Sequence, residues 1–315
     1  MNRSGESTTN ALDGWKAHAA LLLVQIAFAS QSVEAKVAMM PRAQGGEEIF
    51  PAALAMLRMI GGAVFFQATT YACGLQTFPI PKKDHARLFG LALLGIVLNQ
   101  VFFLFGLRWS SPFSVSLLGA TIPVFTAVLA VLFRKEAFAW RTAVGLLLAA
   151  AGVVSLTGVG SLTGHFDVGV ILVTLNSISY AAYVVLSRDL VLRLGALRVM
   201  TWVFTYGALV FAPIGLVTTV RELPNITTRG ALYLAYIVAV PTIVAYLLNA
   251  WALGRTRATT VTIYIVLQPL IAAVLARVQL GHEIAPRALG AGMAIVLGLF
   301  IVTSRRAAGG ARAPS

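Results

Sequence analysis

Asn99-Gln100-Val101-Phe102-Phe103-Leu104-Phe105-Gly106-Leu107-Arg108-Trp109 opens an almost wholly apolar stretch that runs to Thr157. Ala245-Tyr246-Leu247-Leu248-Asn249-Ala250-Trp251-Ala252-Leu253 opens a second stretch, which runs to Thr303. The second reads as another draft of the first. Gly106-Leu107 recurs as Ala252-Leu253, Val115 as Val261 and Pro123 as Pro269, all at one constant spacing. One additional residue then brings Glu136 onto Glu283, each after an apolar run. A repeated, charge-poor block of this kind implies a transporter built from two homologous halves, with its site where they meet.

Composition sets the solvent. Hydrophobic residues are 58% of 315 and charged residues only 11%, against about 45–50% and about 25% in soluble domains. Ten apolar stretches can be marked at 17–38, 51–71, 87–107, 112–133, 141–158, 168–187, 199–219, 230–250, 259–280 and 286–304. Each approaches the ~20 residues a helix needs to cross the hydrocarbon layer. Lipid offers no hydrogen-bond partners, so these runs must be helices; a barrel would show short alternating segments instead. The expected fold is an all-α integral membrane protein with ten transmembrane helices in two inverted five-helix repeats. Inversion follows because five is odd, so a second copy enters the membrane upside down. The expected divisions are a disordered cytoplasmic tail over 1–16, repeats over 17–158 and 168–304, and a second cytoplasmic tail over 305–315.

The net charge of +13 does not indicate a nucleic-acid partner, because of where the bases fall. With the N-terminus inside, the inner loops collect most of them, including Lys82, Lys83, Arg134, Lys135, Arg188, Arg193, Arg198, Arg255 and Arg257. Only Arg42, Arg108, Arg221, Arg229 and Arg287 fall outside. That asymmetry is the positive-inside pattern of a multi-pass protein with both termini cytoplasmic, and anionic headgroups account for it. The expected partners are the bilayer of the cytoplasmic (inner) membrane and a small-molecule substrate. Monomer and homodimer both remain open. The lone Cys73 cannot form an intramolecular disulfide.

The run from Asn99 to Pro112, with Ile122-Pro123-Val124-Phe125 and Glu136, resembles the first EamA module of the drug/metabolite transporter superfamily. The residues Tyr246–Leu253, Ala258-Thr259-Thr260-Val261, Gln268-Pro269 and Leu280-Gly281-His282-Glu283 resemble the second. Ala19–Ala38 and Leu57-Arg58 are similar to the family's first two helices. Lys135, where the family usually has glycine, and the additional His282 depart from the pattern. The resemblance implies export or exchange of small metabolites, such as amino acids or related compounds, by alternating access without ATP hydrolysis. Import, or flipping of lipid or sugar headgroups, is the alternative within the same fold.

Ionisable groups inside spans are costly, so the few present are informative. Arg58 lies within the second span and Glu34 near the outer end of the first. The two can form a structural ion pair, or Arg58 can bind the carboxylate of a substrate. Lys36 reads as an interfacial anchor and His18 as a solvated histidine at a span end. Carboxylates are otherwise scarce within spans, which favours facilitated diffusion or exchange over proton-coupled antiport. Asn99, Gln100, Asn176, Asn249 and Gln268 are the candidate hydrogen-bond partners, and Tyr180, Trp251 and Tyr264 the candidate cavity walls. Interhelical hydrogen bonding and the interfacial aromatic belt are their competing roles. Gln25 and Ser32 share a face of span one, as Asn176, Tyr180 and Tyr183 do on span six. Pro123 and Pro269, which lack a donor, are expected to kink spans four and nine as matched hinges.

Other classes fit less well. Intramembrane proteolysis needs paired aspartates or a Ser–His pair inside spans, and neither is present on this map. Phosphate-cradling glycine loops and metal-spaced His/Cys clusters are missing too, so no enzyme, cofactor or metal is expected. A channel should carry charged pore rings, which the sequence lacks.

Overall fold

The structure, a computed structural model, describes residues 4–75, 79–110, 112–137 and 168–280, with residues 140, 143, 144 and 147. The spans expected over 141–158 (but for 143, 144 and 147) and 286–304, the second acid Glu283 and the tail 305–315 lie outside the described residues. Among those described, every regular element is helical.

The helices follow the apolar runs. They are α1 Ser4–Met39, α2 Pro51–Ala72, α3 Lys82–Trp109, α4 Pro112–Gly119 and α5 Ile122–Leu132. After the undescribed stretch come α6 Val168–Leu194, α7 Ala196–Glu222, α8 Thr228–Leu253, α9 Ala258–Ile263 and α10 Gln268–Leu280. Helix α1 begins at Ser4, within the stretch read from sequence as an unstructured tail. Among the described residues, seven stretches are long and apolar enough to cross a membrane: Trp15–Met39, α2, α3, α6, Ala196–Asn225, α8 and Ala258–Leu275. Their outward faces carry large apolar side chains, such as Val64, Leu209, Ile214, Leu232 and Val278. A water-soluble surface does not expose so much.

Two local irregularities shape the interior. Helices α3 and α8 each contain one widened turn, at Leu93–Leu98 and at Ala239–Val244. In α8 the cause is legible, since Pro241 has no N–H to give the ladder. The second irregularity is a break. Span four stops at Gly119 and restarts at Ile122. Span nine tightens over Tyr264–Leu267 and restarts at Gln268. Pro123 and Pro269 are each the second residue of the restarting helix, where a missing N–H costs nothing. Each proline lacks the N–H that would close on the carbonyl four residues back, Gly119 or Ile265, which is where spans four and nine lose their regular ladder. The paired starting residues are Lys82 and Thr228, Leu93 and Ala239, Asn99 and Ala245, Pro112 and Ala258, and Ile122 and Gln268. All five pairs keep the spacing found between Pro123 and Pro269.

Close packing runs through glycines. Helix α2 lies against α7, and a Cβ added at Gly62 would stand 2.4 Å from Phe204 Cδ1. Thr70 and Thr201 share a hydroxyl hydrogen bond of 2.6 Å across the same contact. Helix α3 meets α6 in the same way, with Gly95 under the Tyr183 ring and Gly106 against Val173. At the helix ends, charged side chains do the capping. Lys36 Nζ donates to the carbonyls of Leu107, Arg108 and Ser110 at 2.9, 3.0 and 2.8 Å. It thus satisfies the end of α3, a more specific task than anchoring. Arg193 grips Asp84 with both nitrogens at 3.0 and 2.9 Å, and Lys135 pairs with Asp189.

A paired substitution tests this packing. Gly62→Ala should lower the thermal midpoint of the detergent-solubilised protein, the overpacking costing about 1–3 kcal/mol. Gly90→Ala, whose Cβ would meet nothing within 4 Å, should leave it unchanged or raise it. Equal effects would remove the α2–α7 contact from the account.

Candidate functional site

A cavity of about 70 Å³ lies where α1, α2, α3, α4, α6, α8 and the restarting end of span nine converge. Arg58 enters it from α2, Asn99, Gln100 and Phe103 from α3, Asn176 and Tyr180 from α6, and Gln268 from the start of α10. Ser116 and Ile122 flank the break in span four, while Phe28, Gln31 and Ser32 come from α1 and Tyr246 from α8.

Arg58 is the largest fully buried side chain, only 1% exposed. Its Nε donates to Thr242 Oγ1 at 2.8 Å, and its Nη2 donates to Gln31 Oε1 at 3.0 Å. The widened turn in α8 arranges the first of these bonds. Thr242 gives its own proton to the Ile237 carbonyl at 2.8 Å, which turns its lone pairs toward the guanidinium. Ion pairs among the described residues include Lys135–Asp189, Arg193–Asp84 and Arg229–Glu47. The expected Glu34–Arg58 pair is not among them. Gln31 precedes Glu34 by three residues, about 4.5 Å along α1, and the guanidinium is turned to that deeper level. Among the described residues, no carboxylate lines the cavity.

A second set of polar groups is cross-linked around Asn99. Tyr246 donates its hydroxyl to Asn99 Oδ1 at 3.3 Å, and Asn176 Nδ2 donates to the Asn99 carbonyl at 2.8 Å. Asn249 stands behind this wall, its Nδ2 donating to the Tyr180 hydroxyl at 3.0 Å. Gln268 is tied to Gln25 at 2.8 Å. By contrast, both side-chain polar atoms of Gln100 and the hydroxyl of Ser116 are buried without a partner. Buried amides are rarely left so, and these two groups are aimed at the cavity.

Seven of the residues singled out from sequence thus meet around one space: Ser32, Arg58, Asn99, Gln100, Asn176, Tyr180 and Gln268. Trp251 and Tyr264 do not line it. Trp251 follows Tyr246 by five residues, so helical phase points it away from the cavity; the Arg255 guanidinium lies 3.9 Å above its ring. The Tyr264 hydroxyl meets His18 Nδ1 at 2.6 Å, so that histidine is engaged and not simply solvated. Gln31, Tyr246 and Thr242 were missed from sequence. Tyr246 had a signal, because it is the repeat counterpart of Gln100. Thr242 had none, since its role depends on a widened turn.

The EamA-like transporter family's model matches twice, over residues 15–158 and again over 167–304. The chain belongs to the EamA-like transporter family. Span-length apolar helices and this membership make it a multi-pass membrane protein. An uncharacterized transporter of Bacillus subtilis, YdfC, is 27% identical over 243 residues, 76% of this chain and 77% of the relative. An uncharacterized transporter of Archaeoglobus fulgidus is 24% identical over 294 residues, 92% of this chain and 98% of its own. A probable terminal-alkyne amino-acid exporter of Streptantibioticus cattleyicolor is 26% identical over 194 residues, 60% of this chain and 63% of that protein. One solved crystal structure has the same fold at a TM-score of 0.66 and 18% identity, covering 94% of this EamA-like chain and 97% of the other.

The unpartnered amide gives a prediction in which stability and function part. Gln100→Leu should raise the thermal midpoint, because each orphaned buried polar group costs about 1–3 kcal/mol. The same change should weaken cargo binding. A Leu variant that is less stable than the parent would show that Gln100 is satisfied after all.

Proposed function

We propose that this EamA-like protein is a secondary carrier with ten transmembrane helices in two inverted five-helix repeats. It moves a small organic metabolite, such as an amino acid or related compound, out of the cell or in exchange across the cytoplasmic membrane. Both chain ends lie on the cytoplasmic side. The double family match and the five helix starts kept in one register support the two halves. One relative's name as an amino-acid exporter supports the direction and the class of cargo.

The observation that carries the reading is Arg58. A guanidinium held out of water is costly unless an anion compensates it, and its contacts here are neutral oxygens. A cargo carboxylate can supply the charge, taking two parallel N–H donors in the geometry a guanidinium favours. Gln100 and Ser116 supply further hydrogen bonds, and Phe28, Phe103, Tyr180 and Tyr246 an aromatic wall. That mixture of apolar surface and few convergent polar groups suits an organic solute. A cavity of about 70 Å³ is well below the ~300 Å³ of pockets that hold such solutes. Loading therefore requires the walls to part, as alternating access demands and an open channel does not.

Counterflow into proteoliposomes preloaded with unlabelled carboxylates tests the proposal. Arg58→Ala should reduce counterflow by roughly 10- to 100-fold, the loss expected for charge-assisted hydrogen bonds, with elution as a single folded species. A variant that exchanges every carboxylate at the parental rate would take Arg58 out of the site. The topology has its own test: single cysteines placed at each end in a Cys73→Ser background should both be labelled from the cytoplasmic face. Labelling from opposite faces would end the ten-span, inverted-repeat reading.

A further inference from the structure

Trp251 belongs to a second concavity that the carrier reading does not use. It is a groove of about 1020 Å³ between the start of α1, the α6–α7 turn and the end of α8. Its floor is apolar, built from Leu23, Leu192, Leu247 and Leu248 among others. Leu23 and Leu192 are 58% and 52% exposed. In a multi-pass membrane protein, an outward-facing apolar groove meets hydrocarbon. The rim at one end is different in character. Lys16, Arg198 and Arg255 stand around it, together with Trp15 and Trp251.

We infer that this groove is a binding site for an anionic phospholipid, its phosphate held by Lys16, Arg198 and Arg255 and its acyl chains lying along the leucine floor. Charge complementarity favours an anion. Among the described residues, no carboxylate lines the groove. Of the described acids, Asp84 is paired with Arg193, Asp189 with Lys135, and Glu136 is bonded to Thr259. The guanidinium of Arg255 is already stacked on the Trp251 ring and donates to the Trp251 carbonyl at 3.2 Å. A stacked guanidinium keeps its edge free for a bidentate phosphate contact and loses less freedom on binding. Two indoles at the mouth suit the level of the headgroups, and basic pockets between membrane helices are sites for anionic headgroups. The double chain separates this ligand from free phosphate, which has nothing to place on the floor. Because α1 and the α6–α7 turn both line the groove, a bound lipid bridges them and should stabilise the bundle.

The experiment uses the full-length protein in a neutral detergent, titrated with phosphatidylglycerol, with phosphatidylcholine of the same chains, and with inorganic phosphate. Phosphatidylglycerol should raise the thermal midpoint in a saturable way, and the other two should not. Each neutralisation, Lys16→Gln, Arg198→Gln or Arg255→Gln, should weaken that affinity roughly 5-fold. Brominated phosphatidylglycerol should quench tryptophan fluorescence, and less so in a Trp15→Phe, Trp251→Leu variant. That second readout remains usable where a neutralised variant fails to fold. Equal stabilisation by the neutral lipid, stabilisation by phosphate alone, or quenching that ignores the two tryptophans would overturn the proposal.

Discussion

A guanidinium sealed from water, held by two neutral oxygens, is the constraint on which the interior depends. Arg58 can stay charged only because Gln31 and Thr242 present acceptors to it. Thr242 can do so only because its proton goes back to Ile237, and that bond spans the widened turn of α8. One side chain therefore ties α2 to α1 and to α8 at a single level. Replacing it with an apolar residue would relieve the burial cost and would also abolish the fixed positive charge that Arg58 brings to the cavity. An uncompensated charge of this kind makes sense in a site whose ligand brings the compensation.

The widened turns follow the same logic on both sides of the cavity. In α3 the turn at Leu93–Leu98 leaves carbonyls for outside donors: Ser179 reaches Leu94 at 2.6 Å and the Tyr246 hydroxyl approaches Gly95 at 3.5 Å. In α8 the counterpart turn positions Thr242. Widened turns of this sort occur often where a helix does something besides span. Here each converts backbone groups that would be locked in the ladder into partners for side chains from other helices.

Most of the scaffold was legible in the sequence, for an elementary reason. Lipid forces every apolar run of sufficient length into a helix, so the runs at 51–71 and 230–250 locate Pro51–Ala72 and Thr228–Leu253 closely. Polar residues inside such runs are rare, and Ser32, Arg58, Asn99, Gln100, Asn176, Tyr180 and Gln268 among them converge on one cavity. What was not legible depends on side-chain direction and local backbone. Trp251 was placed at the cavity by its chemistry, yet its helical phase relative to Tyr246 turns it to the second groove. Glu34 and Arg58 were matched by opposite charge, but Gln31 stands nearer the guanidinium's level. Pro123 and Pro269 were read as kinks, but the form each irregularity takes, two turn residues after Gly119 and a tightened turn over Tyr264–Leu267, was not legible.

The contacts around the two breaks differ in kind from those elsewhere. Helices α2 and α7 meet through Gly62 and Phe204 and helices α3 and α6 through Gly95 and Tyr183, dry contacts in which an ångström of sliding forfeits the fit. The restarting spans are held by a few polar bonds instead. Glu136, just beyond α5, accepts from the Thr259 amide and hydroxyl at 3.2 and 2.6 Å, at the positive end of α9. Gln25 holds Gln268, and His18 holds Tyr264. Such bonds can be exchanged for others at little net cost, whereas the glycine contacts have no substitute partner. In the proposed carrier the division of labour follows from that difference: α2–α7 and α3–α6 keep their packing as units. The irregular segments, at the two-residue interruption before Ile122 and the tightened turn before Gln268, are the ones free to part from the cavity.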